Sequence, residues 1–295
     1  MNPRLLRPRA AVAGGSSLHP EAEAWSAAVV GGGGSASAET LLAVSAFCEA
    51  IDSAGIRDKF RRLNLFCGDS DGSLVAVRTP LYRGESLLGT QYGSAQDTAF
   101  SFVQGDYTET GTSGGLLGNG SSKYLDTGFQ PSTDFPSGAS YHFASYIRGT
   151  QSITSARHLL NCLASLAQGR YRIQLNNTGS SGGNYSVLST LGSTSNNATA
   201  VNRSPTNGGL ILVSRTSTTS LTLYDDAVSI ATNTTSTTPA LPPSNIYVFA
   251  TGAPAEFYNG RMAGYSFGSG MTGAQATSYY NAMNTFQTAL SRNQA

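Results

Sequence analysis

Charge is what this sequence has least of. Charged residues make up 12% of its 295 positions and the net charge is +1, against roughly a quarter charged in an ordinary soluble domain. So neutral a balance argues against nucleic acid or an anionic membrane as the partner. Lysine is confined to Lys59 and Lys123, so the positive charge is carried almost wholly by arginine. Cysteine is scarce too. Cys48, Cys67 and Cys162 form no CxxC pair and have no histidine at metal-ligand spacing, which leaves no metal or cofactor motif. They read as buried thiols, with a Cys48–Cys67 disulfide as the lesser alternative. There is no apolar run of about 18 residues, the length a membrane-crossing helix needs. The stretch Ala10–Gly15 after the first arginines is too short and too rich in glycine for the apolar segment of a secretory signal, so synthesis in the cytoplasm without an export route is expected.

Low charge does not mean disorder here, because Tyr, Phe, Leu, Ile and Val recur in short clusters able to bury a core. Three regions differ in texture. Residues 1–18 hold two prolines, a double glycine and Arg4, Arg7 and Arg9, and suit an extended arm lying on a partner. Residues 19–68 read as a small helical module. Pro20, Glu21 and Glu23 suit a first helical turn running to about Val30. Ser35 or Ser37 caps a second helix that stops at Gly55, and a short helical turn over Ile56 to Arg62 leads into a strand from Leu63 to Gly68. Trp25, Phe47 and Phe60 are its expected small core.

From residue 69 to 295 short apolar runs alternate with Gly, Ser, Asn and Asp turns, the pattern of two stacked antiparallel sheets. Strands are expected at Ser101–Val103, Gly115–Leu117, Tyr124–Thr127, Ser140–Ile147, His158–Ser165, Arg170–Asn176, Tyr185–Leu191, Gly209–Arg215, Ser220–Tyr224, Ala227–Thr232, Asn245–Ala250 and Gly260–Gly268. Ser217-Thr218 and Asp225-Asp226 mark hairpin turns. A helix starting at Thr272 carries an apolar stripe of Ala276, Tyr279, Tyr280, Met283, Phe286 and Leu290.

The stretches GGLLGNGSSKYLDTGFQPST (114–133) with YHFASYIRGT (141–150), and ILVSRTSTTSLTLYDDAVSIATNT (211–234) with the segment 246–290, resemble the laminin-G-like, concanavalin A-like jelly-roll domains of bacteriophage structural proteins. The resemblance spans roughly 20–292. It implies a mainly β fold, a concanavalin A-like jelly-roll β-sandwich preceded by a small helical module and closed by a short C-terminal helix. It also implies a virion setting: a capsid decoration or cement protein, or a tail, baseplate or fibre component, made in the host cytoplasm. There the arm and helical module would attach the chain to other virion proteins and to copies of itself, with a trimer as the symmetry expected by analogy, and the jelly roll would face outward. The fold hosts many functions, and a carbohydrate-binding module for host recognition is the alternative.

Catalysis has little to stand on. A glycosidase needs two carboxylates across one sugar bond, and none of the close acidic pairs, Glu21/Glu23, Asp69/Asp71, Asp106/Glu109 or Asp225/Asp226, lies on one face of a buried strand, so polysaccharide hydrolysis is the least favoured reading and a non-enzyme is expected. Only His19, His142 and His158 are available for a triad, and no Gly-x-Ser-x-Gly elbow accompanies them. His142, between Tyr141 and Phe143, is the most interesting of the three. Asp69 to Ser73 could begin a calcium loop but lacks the distant bidentate Glu, and a plain turn fits better. Tyrosine is the remaining signal, with 14 copies against one tryptophan. Tyr92, Tyr107, Tyr185 and Tyr258 fall in expected turns, where a ring could stack on a glycan or a partner chain.

Overall fold

The computed structural model describes residues 17–69, 74–136, 139–149, 153–163, 170–177, 184–192, 197–204, 208–236, 240–252 and 254–292. Two helices open it. In α1 (Pro20–Gly31) Pro20 takes the first position and Glu21 and Glu23 the first turn, where a fixed φ and the helix dipole favour them. α2 (Ala38–Ser53) begins on Ser37, whose hydroxyl accepts from the Thr40 amide at 3.1 Å. It ends just before Gly55, at φ 62°, a conformation that terminates helices at little cost only in glycine.

The expected helical turn to Arg62 is shorter than the sequence suggested. It is one 3₁₀ turn over Arg57–Lys59, and the strand β1 begins earlier, at Phe60–Asn64. After it come α3 (Leu74–Arg78), β2 (Thr98–Phe100), β3 (Tyr107–Thr108), β4 (Gly115–Leu117), β5 (Tyr124–Asp126) and α4 (Pro131–Asp134). The central strands are β6 (Tyr141–Ile147), β7 (Arg157–Leu163), β8 (Arg170–Asn176), β9 (Tyr185–Gly192), β10 (Asn197–Arg203), β11 (Gly209–Ser217), β12 (Ser220–Asp225) and β13 (Val228–Asn233). β14 (Tyr247–Val248), β15 (Arg261–Gly268) and α5 (Gly273–Ala289) close the chain. Thr272 caps α5 in a reciprocal arrangement with Gln275.

The protein is a mainly β sandwich of two antiparallel sheets. The first runs β13-β12-β11-β6-β15-β4-β3, with β1 also paired to β15, and the second runs β10-β9-β8-β7-β14-β5-β2. Between them lies one apolar core that includes Phe143, Ile147, Tyr171, Ile173, Leu175, Val213 and Phe267. The first sheet is covered on its other side as well. Ala144, Tyr146, Leu210, Leu212 and Ala263 face a second core made with Trp25, Val44, Phe47, Tyr279, Met283 and Phe286 of the helices. Both faces buried explains why every residue of β6 is buried although alternation along a strand sends its side chains to opposite sides. Trp25, Phe47 and Phe60 thus do pack in one cluster, but they share it with the sheet and with α5.

The turn expected at Asp225-Asp226 sits between β12 and β13 with Asp226 at φ 48° and Ala227 at φ 68°, the two left-handed central residues of a type I′ hairpin. The Asp226 carboxylate accepts from the Leu210 amide at 2.7 Å. Arg203, at the end of β10, donates Nε and Nη2 to the two oxygens of Asp225 at 2.8 Å each, tying the edge strand of the second sheet to β12 of the first.

Candidate functional site

The helical layer covers the first sheet, and among the described residues it does not extend over the outer face of the second. β8 reads RYRIQLN, and its alternation points Tyr171, Ile173 and Leu175 into the core while Arg170, Arg172 and Gln174 face outward. The register sets Arg172 opposite Asn161 and Gln174 opposite His158 on β7. These five side chains, with Thr251, Ala255 and Glu256 from the loop after β14, line a pocket of about 400 Å³.

The polar groups of that pocket are ordered by hydrogen bonds. The Gly252 amide donates to Asn161 Oδ1 at 3.1 Å, and Asn161 Nδ2 lies 2.9 Å from His158 Nδ1. His158 Nε2 lies 2.8 Å from Glu256 Oε2. Burial pushes the His158 pKa down, so the ring is neutral at pH 7 and carries its proton on Nε2, donating to Glu256 while Nδ1 accepts from Asn161. The same hydrogen bond, followed by the charges of Arg172 and Arg170, holds the Glu256 carboxyl below its ordinary range. Arg172 donates Nε to Thr190 Oγ1 at 3.2 Å and Nη1 to Gln174 Oε1 at 2.6 Å. Burial and then the neighbouring Arg170 charge push its guanidinium down to about 10.

Beside the pocket is an aromatic platform. Tyr247 of β14 is the register partner of Asn161 on one side and of Asp126 on the other, and paired residues share a face. The Tyr247 ring lies 5.7 Å from Tyr124, which stacks on Phe100 at 4.3 Å with 3° between the planes. Phe257 approaches Tyr124 at 6.2 Å. Phe100 is 39% exposed, so one side of the stack is open.

The tyrosines singled out from the sequence are elsewhere. Tyr107, in β3, is buried and its hydroxyl accepts from Arg292 Nη2 at 3.1 Å. Tyr185 opens β9 with its ring in the core and its hydroxyl accepting from Arg203. Tyr258 is buried against Phe249 at 5.9 Å. None of these three has a ring face free for a sugar: Tyr107 and Tyr185 are turned inward by alternation at strand positions, and Tyr258 packs into the core from the loop before β15. Tyr92 is half-buried, with the Arg61 guanidinium 4.6 Å above its ring and Phe129 at its edge. Arg4, Arg7 and Arg9 lie outside the described residues, as does most of the stretch from Asp69 to Ser73.

The histidines trade places. His142 is sealed under the helical layer, 5.6 Å from Phe60 edge-on, and burial pushes its pKa down to about 4. His158 reaches the pocket. The three cysteines are free and buried. His19, Glu21 and Cys48 place their ligand atoms within 4.8 Å of one another, yet Arg57 Nε occupies both Glu21 oxygens at 2.7 and 2.9 Å and His19 bonds Asp52 at 3.0 Å. A guanidinium already in that position leaves the cluster no place for a cation.

No family model matches the chain, and no curated protein matches it. Solved structures with a similar shape include domain 4 of AbnA, a GH43 extracellular arabinanase from Geobacillus stearothermophilus in complex with arabinotriose. It is 14% identical over 56% of this chain and 76% of that one, with a TM-score of 0.40. The CBM40 of a Ruminococcus gnavus IT-sialidase, bound to α2,3 sialyllactose, is 12% identical over 56% and 95% of the two chains, with a TM-score of 0.39. The NanB sialidase of Streptococcus pneumoniae is 12% identical over 56% of this chain and 27% of its own, with a TM-score of 0.40. These are likenesses of a sandwich architecture.

Proposed function

We propose that this chain is a carbohydrate-binding module whose ligand lies along the open face of the second sheet. The observation that carries the reading is the continuity, through Tyr247, between the Phe100–Tyr124 stack and the pocket of Asn161, Arg172, Gln174 and Glu256. A pyranose has an apolar C–H face and a rim of hydroxyls. A flat aromatic surface suits the first, and planar amide, carboxylate and guanidinium groups held in fixed orientation suit the second. Among the described residues lining the pocket, Glu256 is the one carboxylate, where hydrolysis takes two, and the role proposed is binding without cleavage. In the virion setting that the sequence resemblance implies, such a face would recognise a glycan of the host surface.

The test is a glycan array followed by calorimetry on the best ligand, with Tyr124→Ala and Asn161→Ala as variants. Each is expected to weaken binding by about fivefold or more, the equivalent of roughly 1 kcal/mol. Leu42→Ala, on an exposed position of α2, serves as the control and is expected to leave binding unchanged. Equal affinity in all three variants would remove the open face as the site.

A further inference from the structure

We infer that the pocket takes an acidic sugar, one bearing a carboxylate, and that Arg170 and Arg172 receive that carboxylate. This rests on the glycan-binding reading above and names the class of its ligand. The Arg170 side chain makes no hydrogen bond or ion pair among the described residues, and its Nε is buried without a partner. Arg172, two residues along the same face, spends Nε and Nη1 on Thr190 and Gln174 and keeps Nη2 free. Glu256 is the negative group among the residues lining this pocket, and one of its oxygens already accepts from His158. His158 is neutral, so two guanidiniums meet a single carboxylate and one positive charge is left unmatched.

Buried donors without partners are rare in folded proteins, and a charged one is costly. Sugar hydroxyls would satisfy the N–H groups and leave the charge. A carboxylate would satisfy both, because its two oxygens match the fork of a guanidinium. Gln174 Oε1 supports the arrangement by fixing Arg172, and the neighbouring Asn161 amide remains to select among hydroxyls.

The experiment pairs each acidic glycan with its uncharged counterpart: oligogalacturonate against its methyl ester, and sialyllactose against lactose, on an array that also carries neutral oligosaccharides. The acid form is expected to bind at least about tenfold more tightly than its partner, with a similar loss in Arg170→Gln and Arg172→Gln. Thermal melts of both variants establish that they fold, and the ester comparison needs no variant at all. Equal binding of acid and ester, or of a neutral glycan by wild type and both variants alike, overturns the acidic-ligand inference and leaves the glycan-binding reading standing. Binding to no glycan on the array overturns that reading and the inference with it.

Discussion

Replacing Asp97 by Asn takes one negative charge from a place no solvent reaches and changes almost no volume. Arg62 and Asp97 are both fully buried. Arg62 donates Nη2 and Nε to Asp97 Oδ1 at 2.6 and 3.2 Å, and Tyr265 and Asn64 donate to the same carboxylate at 2.8 and 2.9 Å. Every partner of Asp97's oxygens is thus a donor, and an amide would turn a donor of its own toward them. Removing one member of a buried pair costs about 3–5 kcal/mol, because the remaining charge is stranded. In a chain of this size that corresponds to a fall in Tm of roughly 6–15 °C.

Two probes make the assay informative. Trp25 is the single tryptophan; it is buried in the helical layer and donates Nε1 to the Thr79 carbonyl at 3.0 Å. Its fluorescence reports that layer, and far-UV circular dichroism reports the strands. Arg62 belongs to β1, Asp97 precedes β2 and Tyr265 is in β15, so the network crosses from the 19–68 segment into the sandwich. In urea melts of Asp97→Asn both signals are expected to shift together. Adding Arg62→Met should recover part of the loss by removing the stranded charge, though the Tyr92 and Ser94 carbonyls then lose their donor. A cost under about 1 kcal/mol, or a Trp25 transition that moves while the dichroism transition stays, would refute the reasoning.

Burial pushes the thiols of Cys48 and Cys162 up to about 12 and that of Cys67 up as well, so Ellman's reagent at pH 8 should find no reactive thiol in the native protein and three in urea; rapid reaction of one before unfolding would contradict the packing. Gly209 has φ 120°, and a Cβ there would lie 2.3 Å from Asp226 Oδ1, which the Leu210 amide holds in place. Gly209→Ala is therefore expected to cost about 1–3 kcal/mol from backbone strain before any clash is counted, and an unchanged urea midpoint would show the turn to be free to shift. For His142 the folded pKa, about 4, lies below the ordinary 6.5, so its contribution is intact above pH 6.5 and declines as the pH falls towards 4, by about 3 kcal/mol in all. The stability of His142→Leu should fall less steeply than that of wild type over that interval, and parallel curves would rule the histidine out as the titrating group.

The fold was legible wherever one face of an element differed from the other. β8 alternates strictly and its expected span, Arg170–Asn176, is the observed one. α1, α2 and α5 carried their start signals in Pro20, Ser37 and Thr272. β10, Asn197–Arg203, was missed because it is an edge strand that places Ala198 in the core and leaves Val201 exposed, so its sequence NATAVNR carries almost no hydrophobic alternation. β2 lies three residues before the strand expected at Ser101–Val103, since Phe102 belongs to the core as a loop residue against Phe249. The boundary drawn at residue 68 followed a change of texture. Secondary-structure texture does not reveal that β1 is hydrogen-bonded to β15, more than two hundred residues away in sequence.

The site was harder to read, for a reason of geometry. The alternation of RYRIQL already puts Arg170, Arg172 and Gln174 on one side of a strand, and that signal was available from the sequence. What it lacked was knowledge of which sheet the helices would cover. Had they packed on the second sheet, the same three residues would have been sealed beneath apolar helix faces. Instead the helices took the face of Ala144, Tyr146, Leu210 and Leu212, which is apolar on both sides, and left the polar one open. Tyrosine abundance is a weak guide to the surface of this fold, because most aromatic rings fill space between layers: Tyr141, Tyr171 and Phe143 interlock at 5.6 and 6.0 Å. The rings that do reach the open face, Phe100, Tyr124 and Tyr247, sit on strands of two or three residues, too short to show any alternation. Assigning aromatic residues to a binding face in such a sandwich therefore requires the strand register as well as the composition.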